Sequence, residues 1–98
     1  MPLKPSAALD QKRAAIREAP ARFRTANPRI FGSVLHGTDT DGSDLDVLVD
    51  ALQGATLFDL GGLQLELEEL LGVSVDLLTP DDLPLKFRAQ ILSEAIPV

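Results

Sequence analysis

The spacing of hydrophobic residues changes several times along the chain, and each change predicts a new element. From Ser6 to Ala26, Leu9, Ile16 and Phe23 recur at seven-residue steps with alanines between them, as on one face of a helix. Pro20 interrupts that pattern and predicts a kink or break, and Asn27-Pro28 predicts its end. Arg29 to Val34 reads as a short strand around Ile30-Phe31, with Gly32-Ser33 opening a turn. After the polar loop Thr38–Ser43, Asp44 to Asp50 is the clearest strand. Its Val47-Leu48-Val49 run is bounded by polar residues, as in a strand covered on both faces.

Leu57 to Leu71 carries two patterns at once. Leu63, Leu65 and Leu67 alternate like a strand, whereas Leu60, Leu63, Leu67, Leu70 and Leu71 form a helical stripe. Gly61 and Gly62 each weaken a helix by about 1 kcal/mol. Thr56 and Asp59 have capping-box spacing, and Gly72 follows the last leucine, so length and termini favour the helix. Val73 to Leu78 is a third strand. Thr79-Pro80 starts a helical segment that Pro84 restarts, with Phe87, Ile91 and Ala95 on one side of a final helix. The elements predict an α/β protein with about three strands.

At 98 residues the chain is expected to be one domain, spanning 1–98, with a modest core. A hydrophobic fraction of 45% describes a folded globule rather than a disordered tail. The absence of cysteine excludes a disulfide scaffold and thiolate metal sites. The N-terminus lacks the apolar segment of a signal peptide, and no apolar run approaches a membrane span of about 18 residues. A cytoplasmic protein is expected.

Charge is unevenly placed. Residues 1–29 hold seven Lys/Arg and two Asp/Glu, yet the whole chain has a net charge of −6. An acidic chain is poorly suited to nonspecific nucleic-acid binding, which needs phosphate neutralisation. It can concentrate cations instead. The basic N-terminal helix could face an acidic partner or nucleotide phosphates, and a solvated face explains it equally well.

The chemistry concentrates between Phe31 and Asp50. Asp44 and Asp46, two apart, share a face if the segment is extended. Two such close carboxylates repel one another unless a cation sits between them, and hard oxygen donors select Mg2+ or Mn2+. Asp-x-Asp alone is better explained by a solvated strand edge. Gly32 lets the backbone approach a ligand, and Ser33 offers an amide and a hydroxyl to a phosphate, helped by a helix N-terminus if one begins there. Asp76, in an otherwise apolar strand, wants a partner, and a metal shared with Asp44 and Asp46 would supply one. It could also act as a general base. His36 is a minor candidate on the phosphate side. Asp39, Asp41 and Asp50 read as loop or strand-end acids. Gly42 is misplaced for an EF-hand turn, and neither a Walker lysine motif nor Gly-x-Gly-x-x-Gly is present.

Gly32-Ser33, Asp44-x-Asp46 and the later Asp76 resemble the signature of the polymerase-β-type nucleotidyltransferase superfamily. The short chain and Phe31-Gly-Ser-Val-Leu-His-Gly37 resemble its minimal members, the MntA-like antitoxins of HEPN/MNT toxin–antitoxin pairs. The likeness covers roughly Arg29 to Val98. It implies a nucleotidyltransferase fold, a small mixed sheet of about three strands flanked by helices. It also implies ATP as donor, Mg2+ (two ions) as cofactor, and transfer of AMP to a tyrosine of a partner HEPN toxin with release of pyrophosphate. By position, Asp44, Asp46 and Asp76 would be the catalytic, metal-binding triad, and Gly32 and Ser33 would hold the triphosphate. Many relatives carry Arg where this chain has His36. Two further readings accompany it: an antitoxin that neutralises its toxin by contact alone, and a nucleotidyltransferase with a small-molecule or RNA acceptor. The short chain and its acidity disfavour the last.

Overall fold

The computed structural model describes residues 3–98. Helix α1 (Pro5–Glu18) leads through a 3-10 turn (Ala19–Phe23) into strand β1 (Thr25–Phe31) and the single helical turn α2 (Gly32–Leu35). Strand β2 (Leu45–Ala51), helix α3 (Leu57–Leu71) and strand β3 (Val75–Leu78) form a crossover unit. A second 3-10 turn (Pro80–Asp82), helix α4 (Leu85–Glu94) and the short strand β4 (Ile96–Pro97) complete the order. Among the described residues the strands form one mixed sheet in the order β3-β2-β1-β4. β2 and β3 run parallel, as a helical crossover requires, and β1 runs antiparallel to both β2 and β4.

The sheet has a core on each face. Leu45, Val47 and Val49 of β2 pack with Leu9 and Ile16 of α1 and with Leu63, Leu67 and Leu71 of α3. Leu48 points the other way, into a smaller cluster with Phe31, Leu83 and, from α4, Ile91. That alternation explains the unbroken apolar run, since both faces of β2 are covered. It also puts the intervening Asp46 and Asp50 on the α4 side, where the cover is thinner.

The segment predicted as one helix to Ala26 divides. α1 stops at Glu18, Pro20 falls in the first turn of the 3-10 segment, and Arg24 reverses the chain at a left-handed φ of 51°. Thr25, a β-branched residue, then starts β1 and donates its hydroxyl to Pro20 O at 3.0 Å. Asn27-Pro28 therefore lies inside a strand rather than at a helix end. Asn27 takes φ 57°, and the register shifts between Ala26 and Arg29. Such a bulge tolerates a proline with no N–H to give the ladder. Asp50 clamps it, accepting from Asn27 Nδ2 at 3.2 Å and Arg29 Nη2 at 2.6 Å. β1 also ends earlier than expected, at Phe31, because Gly32 opens α2.

α3 follows the helical stripe. Leu65, which a strand would bury with Leu63 and Leu67, is 58% exposed. Thr56 and Asp59 form the reciprocal capping box, and Gly72 closes the helix at φ 69°. Gly62 is filled by its neighbour: a Cβ there would meet the Phe23 ring at 2.8 Å. The fourth strand was not expected. It is two residues long, too short to leave a periodicity, and it pairs Ile96 with Ile30. No helix among the described residues is long and apolar enough to cross a membrane.

Candidate active site

Three neighbouring strands bring the acids and the glycine to one level. Phe31 pairs with Asp46 across the antiparallel β1–β2 ladder, and Asp46 pairs with Asp76 across the parallel β2–β3 ladder. Gly32 follows directly on Phe31, and Asp44 lies just before β2. The predicted residues Gly32, Ser33, Asp44, Asp46 and Asp76, from four parts of the chain, thus gather at one end of the sheet. Asp46 is half-buried, whereas Asp44 and Asp76 are exposed.

Asp46 registers this crowding. Its carboxyl is pushed up to about 6, first by burial and then by the negative charges of Asp76 and Asp44, with the Ser33 backbone N–H pulling the other way. Asp46 therefore feels both neighbouring acids. Gly32 lies so close that a Cβ would fall 2.0 Å from Asp46 Oδ2, and its φ of 74° is one that side chains resist. A backbone bare of side chain beside a carboxylate is a suitable floor for a ligand that bridges the two. α2 is a single turn, so its contribution is the nearby Ser33 amide rather than a long helix dipole.

The donor set fits a hard divalent cation: all-oxygen ligands, at least one of them destabilised by like charge. Among the described residues, no three His, Asp or Glu side chains stand close enough together to hold an ion as placed.

The other singled-out polar residues take different parts. Asp39 is buried and accepts from Ser6 N at 2.9 Å, tying its loop to the first turn of α1. That bond holds its carboxyl below the usual range. Asp41 stays in the exposed loop, while Asp50 clamps the β1 bulge. His36 caps α2, with Nε2 3.5 Å from the Glu94 carboxylate on α4. Beside this pair and Gly32 a groove of about 360 Å³ runs along α4. Its α4 residues Phe87, Gln90, Ile91 and Glu94 follow helical i, i+3, i+4, i+7 spacing, the signal that a sequence reading of this wall needed.

With these strands and acids in place, the chain can be assigned to a class. It matches the nucleotidyltransferase domain family over residues 12–98 and belongs to that family. It is a nucleotidyltransferase enzyme. It is 42% identical over 69 residues to a Methanocaldococcus jannaschii protein named "putative protein adenylyltransferase", covering 70% of this chain and 74% of that one. It is 33% identical over 82 residues to protein adenylyltransferase MntA of Thermococcus cleftensis, covering 84% and 83%. A solved structure described as a "putative minimal nucleotidyltransferase" superposes with a TM-score of 0.84 at 42% identity over 95% of each chain. A toxin–antitoxin structure with AMP-PNP superposes at 0.64 and 20% identity, covering 83% of this chain and 70% of that one; this is a likeness of fold.

Proposed function

We propose that the chain transfers AMP from ATP to a tyrosine hydroxyl of a partner HEPN toxin and thereby acts as its antitoxin in the cytoplasm. The observation that carries this reading is the Asp46–Asp76 pairing beside Gly32, with Asp46 raised to about 6 by burial and then by the other two acids. The adenylyltransferase names of two relatives and the AMP-PNP complex of a fold neighbour support the donor and the partner class.

In this mechanism Gly32 and Ser33 cradle the triphosphate through backbone amides and the serine hydroxyl. Asp44, Asp46 and Asp76 would hold two Mg2+ ions, which when bound offset the charge of the triphosphate and of the transition state. Asp76, the most open of the strand acids, takes the proton of the attacking hydroxyl. The hydroxyl oxygen bonds to the α-phosphorus, the bond to the bridging oxygen breaks, and pyrophosphate leaves. The test is label transfer from ATP radiolabelled at the α-phosphate to the purified partner. Label should appear with Mg2+ and vanish with EDTA or with Asp44→Ala. Equal labelling by Asp44→Ala would overturn the assignment.

A second reading, neutralisation by contact, draws on a different observation. Leu57 and Phe58 at the start of α3 are 84% and 92% exposed. Apolar side chains so open suit a protein interface. A toxin that remains inhibited by Asp44→Ala, without added AMP, would favour that reading.

A further inference from the structure

We propose that the groove between α4 and α2 is the nucleobase site and that Gln90, oriented by Glu94, selects adenine over guanine. The proposal rests on the reading above in one respect, the placing of the triphosphate at Gly32-Ser33. Gly32 also lines this groove, so the groove opens beside the residue that touches Asp46. The volume of about 360 Å³ lies in the range of small-ligand clefts.

The lining suits a flat heteroaromatic ring. Phe31 is buried in the floor, and Phe87, 49% exposed, stands on the rim with Ile91 below it. Base–aromatic stacking contributes about 1–3 kcal/mol per base. Phosphate is the wrong occupant, because the Glu94 carboxylate would repel it.

The polar groups add direction. Gln90 Nε2 donates to Glu94 Oε1 at 3.2 Å. A carboxylate can only accept, so it fixes the amide with its nitrogen toward Glu94. The amide oxygen and the second N–H are left for a ligand. Adenine presents a matching pair on one edge: the N6 amine donates and N7 accepts. Guanine presents O6 there, so its acceptor would meet the amide oxygen. Turning the amide to suit guanine would set that oxygen against the Glu94 carboxylate. Glu94 is thus a positioning residue, and His36 Nε2 lies 3.5 Å from its carboxylate.

The experiment is calorimetric titration of the full chain, in magnesium buffer, with the α,β-methylene analogues of ATP and GTP and with tripolyphosphate. The wild type should prefer the ATP analogue on the order of ten-fold or more, the discrimination of one bidentate pair. Gln90→Ala, an exposed position, should erase most of that ratio and leave tripolyphosphate binding unchanged. Glu94→Gln should narrow the ratio too, because a neutral amide no longer dictates which way Gln90 faces. Equal binding of the two analogues by the wild type overturns the groove alone. So does a Gln90→Ala chain that keeps both nucleotide affinities but loses transfer to the partner, which would make the groove an acceptor site. Failure of both analogues and of tripolyphosphate to bind overturns the cradle and the groove together.

Discussion

Gly32 and Asp46 are packed so closely that one side-chain atom added to the glycine would lie 2.0 Å from the aspartate Oδ2. The contact links the end of β1 to the middle acid of the site. Gly32→Ala must therefore displace Asp46 or reshape the β1–α2 junction, and must also hold alanine at a φ of 74°. Backbone strain of that kind costs about 1–3 kcal/mol. Denaturant unfolding should show a loss in that range, and AMP transfer should fall far more than stability does. An alanine variant with normal stability and transfer would show that the close approach is unimportant.

The raised Asp46 carboxyl makes a statement about pH. Its folded value of about 6 lies above the ordinary 3.8, so between these values the folded chain binds this proton more tightly than the unfolded chain. The contribution of Asp46 to stability therefore falls as pH rises through that window. The carboxylate is partly open to solvent, so the full shift is discounted to about 1 kcal/mol. In EDTA, Asp46→Asn is expected to be more stable than the wild type at pH 7 and to lose that advantage below pH 4. Melting curves at the two pH values measure it. An Asn variant less stable at pH 7 would mean that burial and the neighbouring acids do not disfavour the charged form of Asp46 in the folded chain.

Adjacent glycines in α3 should respond oppositely to the same change. Gly61 has open space where a Cβ would stand, whereas Gly62 would meet Phe23 at 2.8 Å. Gly61→Ala is expected to stabilise by about 1 kcal/mol through helix propensity. Gly62→Ala should gain nothing or lose stability, because Phe23 must move out of its packing. Equal gains in denaturant unfolding would show that the Phe23 contact places no restriction on the helix.

What could be read from the sequence depended on whether the signal was local. The buried run Val47-Leu48-Val49, the Thr56–Asp59 cap and Gly72 each carry their meaning within a few residues, and β2 and α3 were found from them. The gathering of Gly32, Asp44, Asp46 and Asp76 was anticipated from spacing and resemblance, although only the strand register shows that they share a level. The end of the N-terminal helix and the start of β1 differ from the sequence pattern because Asn27-Pro28 is a helix stop in isolation. Its place in a bulge depends on Asp50, more than twenty residues away in sequence. The role of Asp39 was hidden for the same reason, since its partner is the Ser6 amide. The groove beside Gly32 joins α4 to the end of β1; the spacing of Phe87, Gln90, Ile91 and Glu94 marks its wall, but no local pattern reports the contact.

The most direct test of the acid-centred mechanism is the intact mass of the partner protein after incubation with ATP, Mg2+ and either the wild type or Asp46→Asn. The wild type should add one or more AMP units. The Asn variant, folded and at least as stable, should add none. A partner modified equally by both chains, or by neither, would contradict a catalytic centre at Asp44, Asp46 and Asp76.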